Sequence, residues 1–241
     1  MAKGIFITGT DTGVGKTVVA AGIVGALRSN SYNACYFKPV LSGAGCQDGR
    51  LSPGDTLFVK QFAGLAEDNQ NITPYIFQTP VSPHLASEIE NRPVDTGIIK
   101  DKYEGLKAKY DYIVAEGCGG LAVPLRGDGY MLSDLISDLG MSCLLVARAT
   151  LGTVNHTLLS VNYAQSRGLR IKGIIVSGYG GGICEADNLK IIQHLSGLPV
   201  LAVLPLLPGV DVEELRSGPA VDIFPSPEFP QHIISFMNVL G

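Results

Sequence analysis

The chain has 241 residues, 46% of them hydrophobic and 17% charged, with a formal net charge of −4. That size and composition suit one large domain over residues 1–241, and the absence of a basic patch argues against a nucleic-acid partner. The longest apolar stretch, residues 198–207, is broken by Pro199 and Pro205 and is too short to span a bilayer.

Short apolar runs alternate with longer amphipathic segments. The runs at residues 3–8, 33–39, 110–117, 142–148, 171–178 and 198–205 are rich in Val, Ile and Leu and nearly continuous, as expected of strands buried on both faces of a parallel sheet. Helices are expected over residues 16–29, 55–63, 95–109, 132–139, 153–167 and 185–195. The alternation predicts an α/β fold with a doubly wound, mostly parallel sheet flanked by helices. The proline-rich stretch 219–230 reads as a surface connection to a last short helix. In such sheets ligands sit beyond the carboxyl ends of the strands, here just after Thr8, Phe37, Ala115, Ala147, Val176 and Leu204.

The five cysteines, Cys35, Cys46, Cys118, Cys143 and Cys184, are odd in number and contain no Cys-x-x-Cys pair. A disulfide framework or zinc site is not expected, and a reduced cytoplasmic setting fits better. Cys35 and Cys143 lie in apolar runs, where a thiol acts as a small core hydrophobe. The opening run Gly4-Ile5-Phe6-Ile7 is too short for the apolar region of a signal peptide.

The stretch GTDTGVGKT, Gly9 to Thr17, follows a predicted strand and opens a predicted helix. It has the Gly-Lys-Thr ending of a phosphate-binding loop but one residue more than the usual Gly-x-x-x-x-Gly-Lys-[Ser/Thr] spacing. Its glycines let the backbone wrap an anion, its N–H groups and the helix start favour phosphate, Lys16 adds a cation and the Thr17 hydroxyl suits Mg²⁺. The alternative is a tight strand–helix turn. Lys38, in FKPVLSG, stands at the end of the second strand, where it is either a solvated surface charge or a cation within reach of a phosphate or an acidic substrate, and Ser42 follows in SGAG, which is also simple loop composition. Asp55 is either a metal-directed carboxylate or, as its spacing alone favours, an N-cap for the helix that follows. Glu116, in DYIVAEGCGG, ends an apolar strand, where a carboxylate needs a cation, hydrogen bonds or solvent. His84 is read equally as substrate-facing or as a polar residue of a first helical turn, and His156 as an ordinary helix residue.

Together GTDTGVGKT, KPVLSG, Gly54-Asp55, SPHLAS, EGCGGLAVPL, LGTVNHTLLS and LPVLAVLP resemble the dethiobiotin synthetases, whose loop has the extra residue. The resemblance implies a P-loop NTPase-like fold. It also implies use of ATP, Mg²⁺ and CO₂, supplied from bicarbonate, to close a cyclic urea on 7,8-diaminopelargonic acid. It implies catalytic roles for Thr12, Lys16, Lys38 and Ser42. Nucleotide contacts fall to Gly13, Val14, Gly15, Lys16, Thr17 and Val18, with Glu116, Gly117, Ser177 and Pro205. Thr17, Asp55 and Glu116 would hold the metal, and Thr12, Lys38, Ser42, Gly152 and Asn155 the diamine. Gly152 to Asn155 would come from a partner subunit, which implies a homodimer with active sites at its interface. Two positions depart from the pattern: Gly13, where some members carry an acidic residue, and Ser177, where some carry an adenine-contacting Asn. Three other readings compete: a P-loop ligase of the cobyrinate-amidation type, a MinD/ParA-like nucleotide switch, and a small-molecule kinase. The switch's signature Lys is replaced here by Asp11.

Overall fold

The computed structural model of the chain describes residues 2–47 and 49–224. In chain order the elements are β1 (Lys3–Gly9), α1 (Lys16–Ser29), β2 (Ala34–Phe37), β3 (Val40–Ser42), β4 (Gly45–Gln47), β5 (Arg50–Ser52), α2 (Gly54–Ala63), α3 (Asn69–Ile72), β6 (Tyr75–Phe77), α4 (Pro83–Ile89), α5 (Thr96–Lys107), β7 (Tyr112–Gly120), α6 (Leu132–Asp138), β8 (Ser142–Arg148), α7 (Thr153–Ser166), β9 (Ile171–Tyr179), α8 (Ile183–Ser196), β10 (Val200–Pro205) and α9 (Ala220–Ile223).

Six strands form one parallel sheet in the order β10-β9-β8-β1-β7-β2. The six apolar runs are those six strands, but β10, at the edge of the sheet, is largely half-buried or exposed rather than covered on both faces. Ile5, Phe6 and Ile7 of β1 and Leu144, Leu145 and Val146 of β8 are all at most 1% exposed, which a central parallel strand covered by helices requires. From β1 the chain winds out to β2, returns to β7, crosses over β1 to β8 and continues to β10. The winding therefore reverses at β1, so the loop after β1 sits at the switch point where such sheets open a crevice.

Helix α1 packs on β1, β2 and β7 and against α2, which also touches β2, while α7 packs on β8 and α8 on α7. Boundaries moved little: the expected helix 95–109 runs Thr96–Lys107, because Asp95 caps it by accepting from the Gly97 N–H. Two features lay outside the periodicity. One is a pair of two-stranded sheets, β3 with β6 in parallel and β4 with β5 in antiparallel; their three-residue strands are too short to show a repeat. The other is a correction. The start of the 219–230 stretch is not a surface connection: Ala220 and Phe224 are buried, and the Phe224 ring lies against Gly22 of α1, where a methyl group would collide with it. Residues 225–241, including the expected last helix, lie outside the described residues. No helix among the described residues is long and apolar enough to cross a membrane. Cys35 and Cys143 are buried in β2 and β8, in the core position expected of them, and burial pushes both thiols up to about 12.

Candidate active site

The loop between β1 and α1 turns on two left-handed glycines, Gly13 at φ 68° and Gly15 at φ 96°. Gly15 is the N-cap of α1, so the helix begins with backbone N–H groups aimed out of the loop rather than capped by a side chain. Lys16 folds back over the loop and donates from Nζ to the Asp11 carbonyl oxygen at 2.8 Å. Val14 is buried beneath the loop, and Arg148, at the end of β8, grips the loop from the other side by donating to the Thr12 carbonyl oxygen at 2.8 Å.

Beside the loop is a cluster of buried charges contributed by three neighbouring elements. Glu116 reaches it from β7, whose register with β1 places it next to Ile7. Lys38 reaches it from just beyond β2, and Asp55 from the first turn of α2. Lys38 Nζ donates to Glu116 Oε1 at 2.8 Å and is also bonded to Asp55 Oδ2. Thr17 Oγ1 donates to the same Glu116 oxygen at 2.9 Å. The other glutamate oxygen, Oε2, accepts from the Tyr36 hydroxyl at 2.6 Å. Lys38 and Glu116 are 3% and 1% exposed, so each charge depends on these partners for the solvation it has lost.

The chain around Glu116 is shaped to bring β7 close to β1. A side chain at Gly117 would meet Leu132 Cδ2 at 2.7 Å and Phe6 Cε1 at 3.0 Å. Any larger residue would push the strand end, and with it Glu116, away from the loop.

Electrostatics divide the two lysines. Burial pulls the Lys16 ammonium below its ordinary value, and the neighbouring Lys38 charge lowers it further. Burial also disfavours charge on Lys38, but Asp55 and Glu116 together outweigh it and hold that ammonium above its ordinary value. For Asp55, burial works against ionisation and Lys38 overrides it, leaving the carboxyl below its usual range. The result is a fixed arrangement of two cations and two carboxylates around one opening.

That opening is a cavity of about 750 Å³. Of the residues singled out from sequence, Thr12, Gly13, Gly15, Lys16, Thr17, Val18, Lys38, Ser42, Asp55, Glu116 and Gly117 all line it. Asp55 is not the N-cap that its spacing favoured: Pro53 holds that position without a side-chain bond, and Asp55 turns instead to Lys38. A tertiary partner prevailed over a local one.

The remaining candidates stand elsewhere. Ser177, at the end of β9, abuts the back of the loop; its Oγ lies 2.7 Å from where a Cβ on Gly15 would be. Pro205 is exposed at the end of β10, and Gly152 and Asn155 are exposed at the start of α7. His84 is not among the lining residues. Its Nδ1 pairs with Ser82 Oγ at 3.0 Å, and Pro80, Val81 and Ser82, just before it, face the cavity instead. His156 is an exposed residue of α7.

Sequence reasoning missed Tyr36, an aromatic in an apolar run with nothing to distinguish it from packing. It also missed Arg148, Val212 and Glu213, the last two placed on the cavity wall by the segment after β10. Among the described residues no group of three or more His, Cys, Asp and Glu forms a metal cluster. Asp55 Oδ2 and Glu116 Oε1 nevertheless meet at the Lys38 ammonium, with Thr17 Oγ1 bonded to that same Glu116 oxygen, and hard oxygen donors grouped in this way suit Mg²⁺.

A protein-family profile described as an AAA domain matches residues 3–214. The ATP-dependent dethiobiotin synthetase BioD of Clostridium kluyveri is 48% identical over 220 residues, which cover 90% of this chain and 91% of that protein. The protein of the same name from Clostridium novyi is 51% identical over 209 residues, 85% and 88% of the two chains. Among solved structures, the septum site-determining protein MinD of Pyrococcus horikoshii, complexed with Mg-ADP, superposes with a TM-score of 0.60 at 24% identity, covering 100% of this chain and 96% of that one. At that identity the likeness speaks for the fold alone, the P-loop NTPase arrangement already visible in the strand order. With relatives of 48% and 51% identity along nearly the full length of both partners, the chain belongs to the ATP-dependent dethiobiotin synthetase family.

Proposed function

We propose that this chain closes 7,8-diaminopelargonic acid to dethiobiotin with CO₂ and ATP. The observation that carries the reading is the Lys38–Glu116–Asp55 cluster, 1–30% exposed at its side chains, set against a phosphate loop at the switch point of the sheet. One amine of the diamine adds to CO₂ and loses a proton, giving a carbamate. A carbamate oxygen attacks the γ-phosphorus and ADP leaves, producing a carbamic–phosphoric anhydride. The second amine then attacks the carbonyl carbon, and phosphate departs as the ring closes.

The loop N–H groups and the start of α1 hold the phosphates, and Lys16 supplies a cation to the β- and γ-phosphates. Lys38 is placed to balance charge on the carbamate and the transferring phosphoryl group. Thr12 and Ser42, both on the cavity wall, orient the diamine. Thr17, Asp55 and Glu116 would hold Mg²⁺, which when bound neutralises charge on the phosphate oxygens.

The distal carboxylate of the diamine needs an anion site. In this reading it lies at Gly152–Asn155 of a second copy in a cytoplasmic homodimer. The support is a patch beside those residues, where Leu151 is 89% and Leu159 60% exposed. A Leu159→Asp chain that remains dimeric in sedimentation would remove that interface.

Ser177 has no amide to pair with a base, so we expect CTP and GTP to support turnover within about tenfold of ATP. A strict preference for ATP would refute this. The principal test incubates the protein with the diamine, bicarbonate and Mg-ATP and detects dethiobiotin by mass spectrometry. No diamine-dependent ADP release would overturn the reading.

A further inference from the structure

The two oxygens of Glu116 face different surroundings. Oε1 receives Thr17 and Lys38, both on the cavity wall. Among the described residues, Oε2 receives the phenol of Tyr36 alone, which has no exposed surface and lies in β2, the neighbour of β7. A buried phenol has no water with which to exchange that bond, and a 2.6 Å contact to a carboxylate is in the short, charge-assisted range.

We propose that Tyr36 is a positioning residue that sets metal selectivity. By occupying Oε2 it leaves Glu116 only Oε1 to offer the cavity, and so fixes that carboxylate as a one-oxygen ligand. Mg²⁺ takes single oxygens at short distance in octahedral geometry, whereas Ca²⁺ accepts larger ligand numbers and both oxygens of one carboxylate. A glutamate locked at one oxygen thus discriminates against Ca²⁺. Outer partners that orient a ligand commonly change metal affinity 10–100-fold when removed. The proposal rests on the reading of Glu116 as a metal ligand.

The test uses the full chain with ADP and Mn²⁺ as the paramagnetic probe, displaced by Mg²⁺ or by Ca²⁺ and followed by the spectrum of free Mn²⁺. Tyr36→Phe keeps the ring and removes the hydroxyl. It should shift the ratio of Ca²⁺ to Mg²⁺ affinity toward Ca²⁺ by about tenfold. An unchanged ratio, including an equal loss for both ions, overturns the proposal while leaving the metal site intact. Failure of the unaltered protein to bind Mn²⁺ overturns the metal reading and the proposal with it. Should Tyr36→Phe not fold, proton NMR of the unaltered protein decides. The Tyr36 hydroxyl proton should persist at low field when Mg²⁺ and ADP are added, and its loss on that addition overturns the proposal.

Discussion

Two glutamates, Glu116 within β7 and Glu67 packed beside the chain entering its amino end, are held by the same kinds of partner. Glu116, near the carboxyl end, has Tyr36 and Lys38; Glu67, at the amino end, accepts from Tyr110 at 3.1 Å and from Lys109 at 3.3 Å. The difference lies in where the lysines stand. Lys38 is 4% exposed at its side chain and Lys109 is 55% exposed. At the amino end the ion pair is open to water and salt, so it contributes to stability alone, and modestly. At the carboxyl end the charges have exchanged water for one another around a cavity, and there they can act on a ligand. The same residue types serve stability or chemistry according to which edge of the sheet they occupy.

The strongest way to break that contrast is at the loop. Lys16→Ala should lower single-turnover formation of ADP by on the order of a hundredfold or more. A variant keeping a tenth of the rate would show that the loop backbone alone suffices. Next is Lys38→Ala, which strands Glu116 and Asp55 and should destabilise the fold by about 3–5 kcal/mol in denaturant unfolding. It should slow the chemical step more than it weakens ADP binding; equal losses would reduce Lys38 to a nucleotide holder.

A smaller effect separates the two edges by packing. Gly117→Ala meets Leu132 and Phe6, and Gly173→Ala, near the start of β9, meets Leu201 and the Pro199 carbonyl. Each overpacked variant should lose about 1–3 kcal/mol, but only Gly117→Ala should also reduce turnover at temperatures where both remain folded. A comparable activity loss in the two would mean that the site does not depend on the approach of β7 to β1.

The smallest effect is the pH dependence of Glu67. Its bond from Asn71 is the largest influence, and with those from the Asp68 N–H, Tyr110 and Lys109 it outweighs partial burial, lowering the carboxyl from 4.5 to about 2. A depressed folded value means stability that is present above the unfolded value and is lost as pH falls toward the folded one. The unaltered protein should therefore lose its advantage over Glu67→Gln between about pH 4.5 and pH 2. Parallel unfolding curves for the two across that range would contradict the assignment.

What the sequence determined by itself was what repeats or stays local. Continuous apolar runs marked all six strands of the main sheet, because a strand covered on both faces has no polar side to show; only β10, at the edge, is apolar without being so covered. The loop was legible because phosphate binding needs glycines, a lysine and a hydroxyl in consecutive positions. Glu116 was legible because a carboxylate after a buried strand demands a partner. Tertiary structure alone decided which partner each charge has. Asp55 has the spacing of a cap and the contacts of an ion pair, since Lys38 arrives from a strand seventeen residues earlier. Tyr36 looks like core from sequence and becomes part of the site only because β2 lies beside β7, and Phe224 closes over Gly22 from the far end of the described chain. Such contacts depend on strand order and on close approach between distant segments, neither of which leaves a period in the chain.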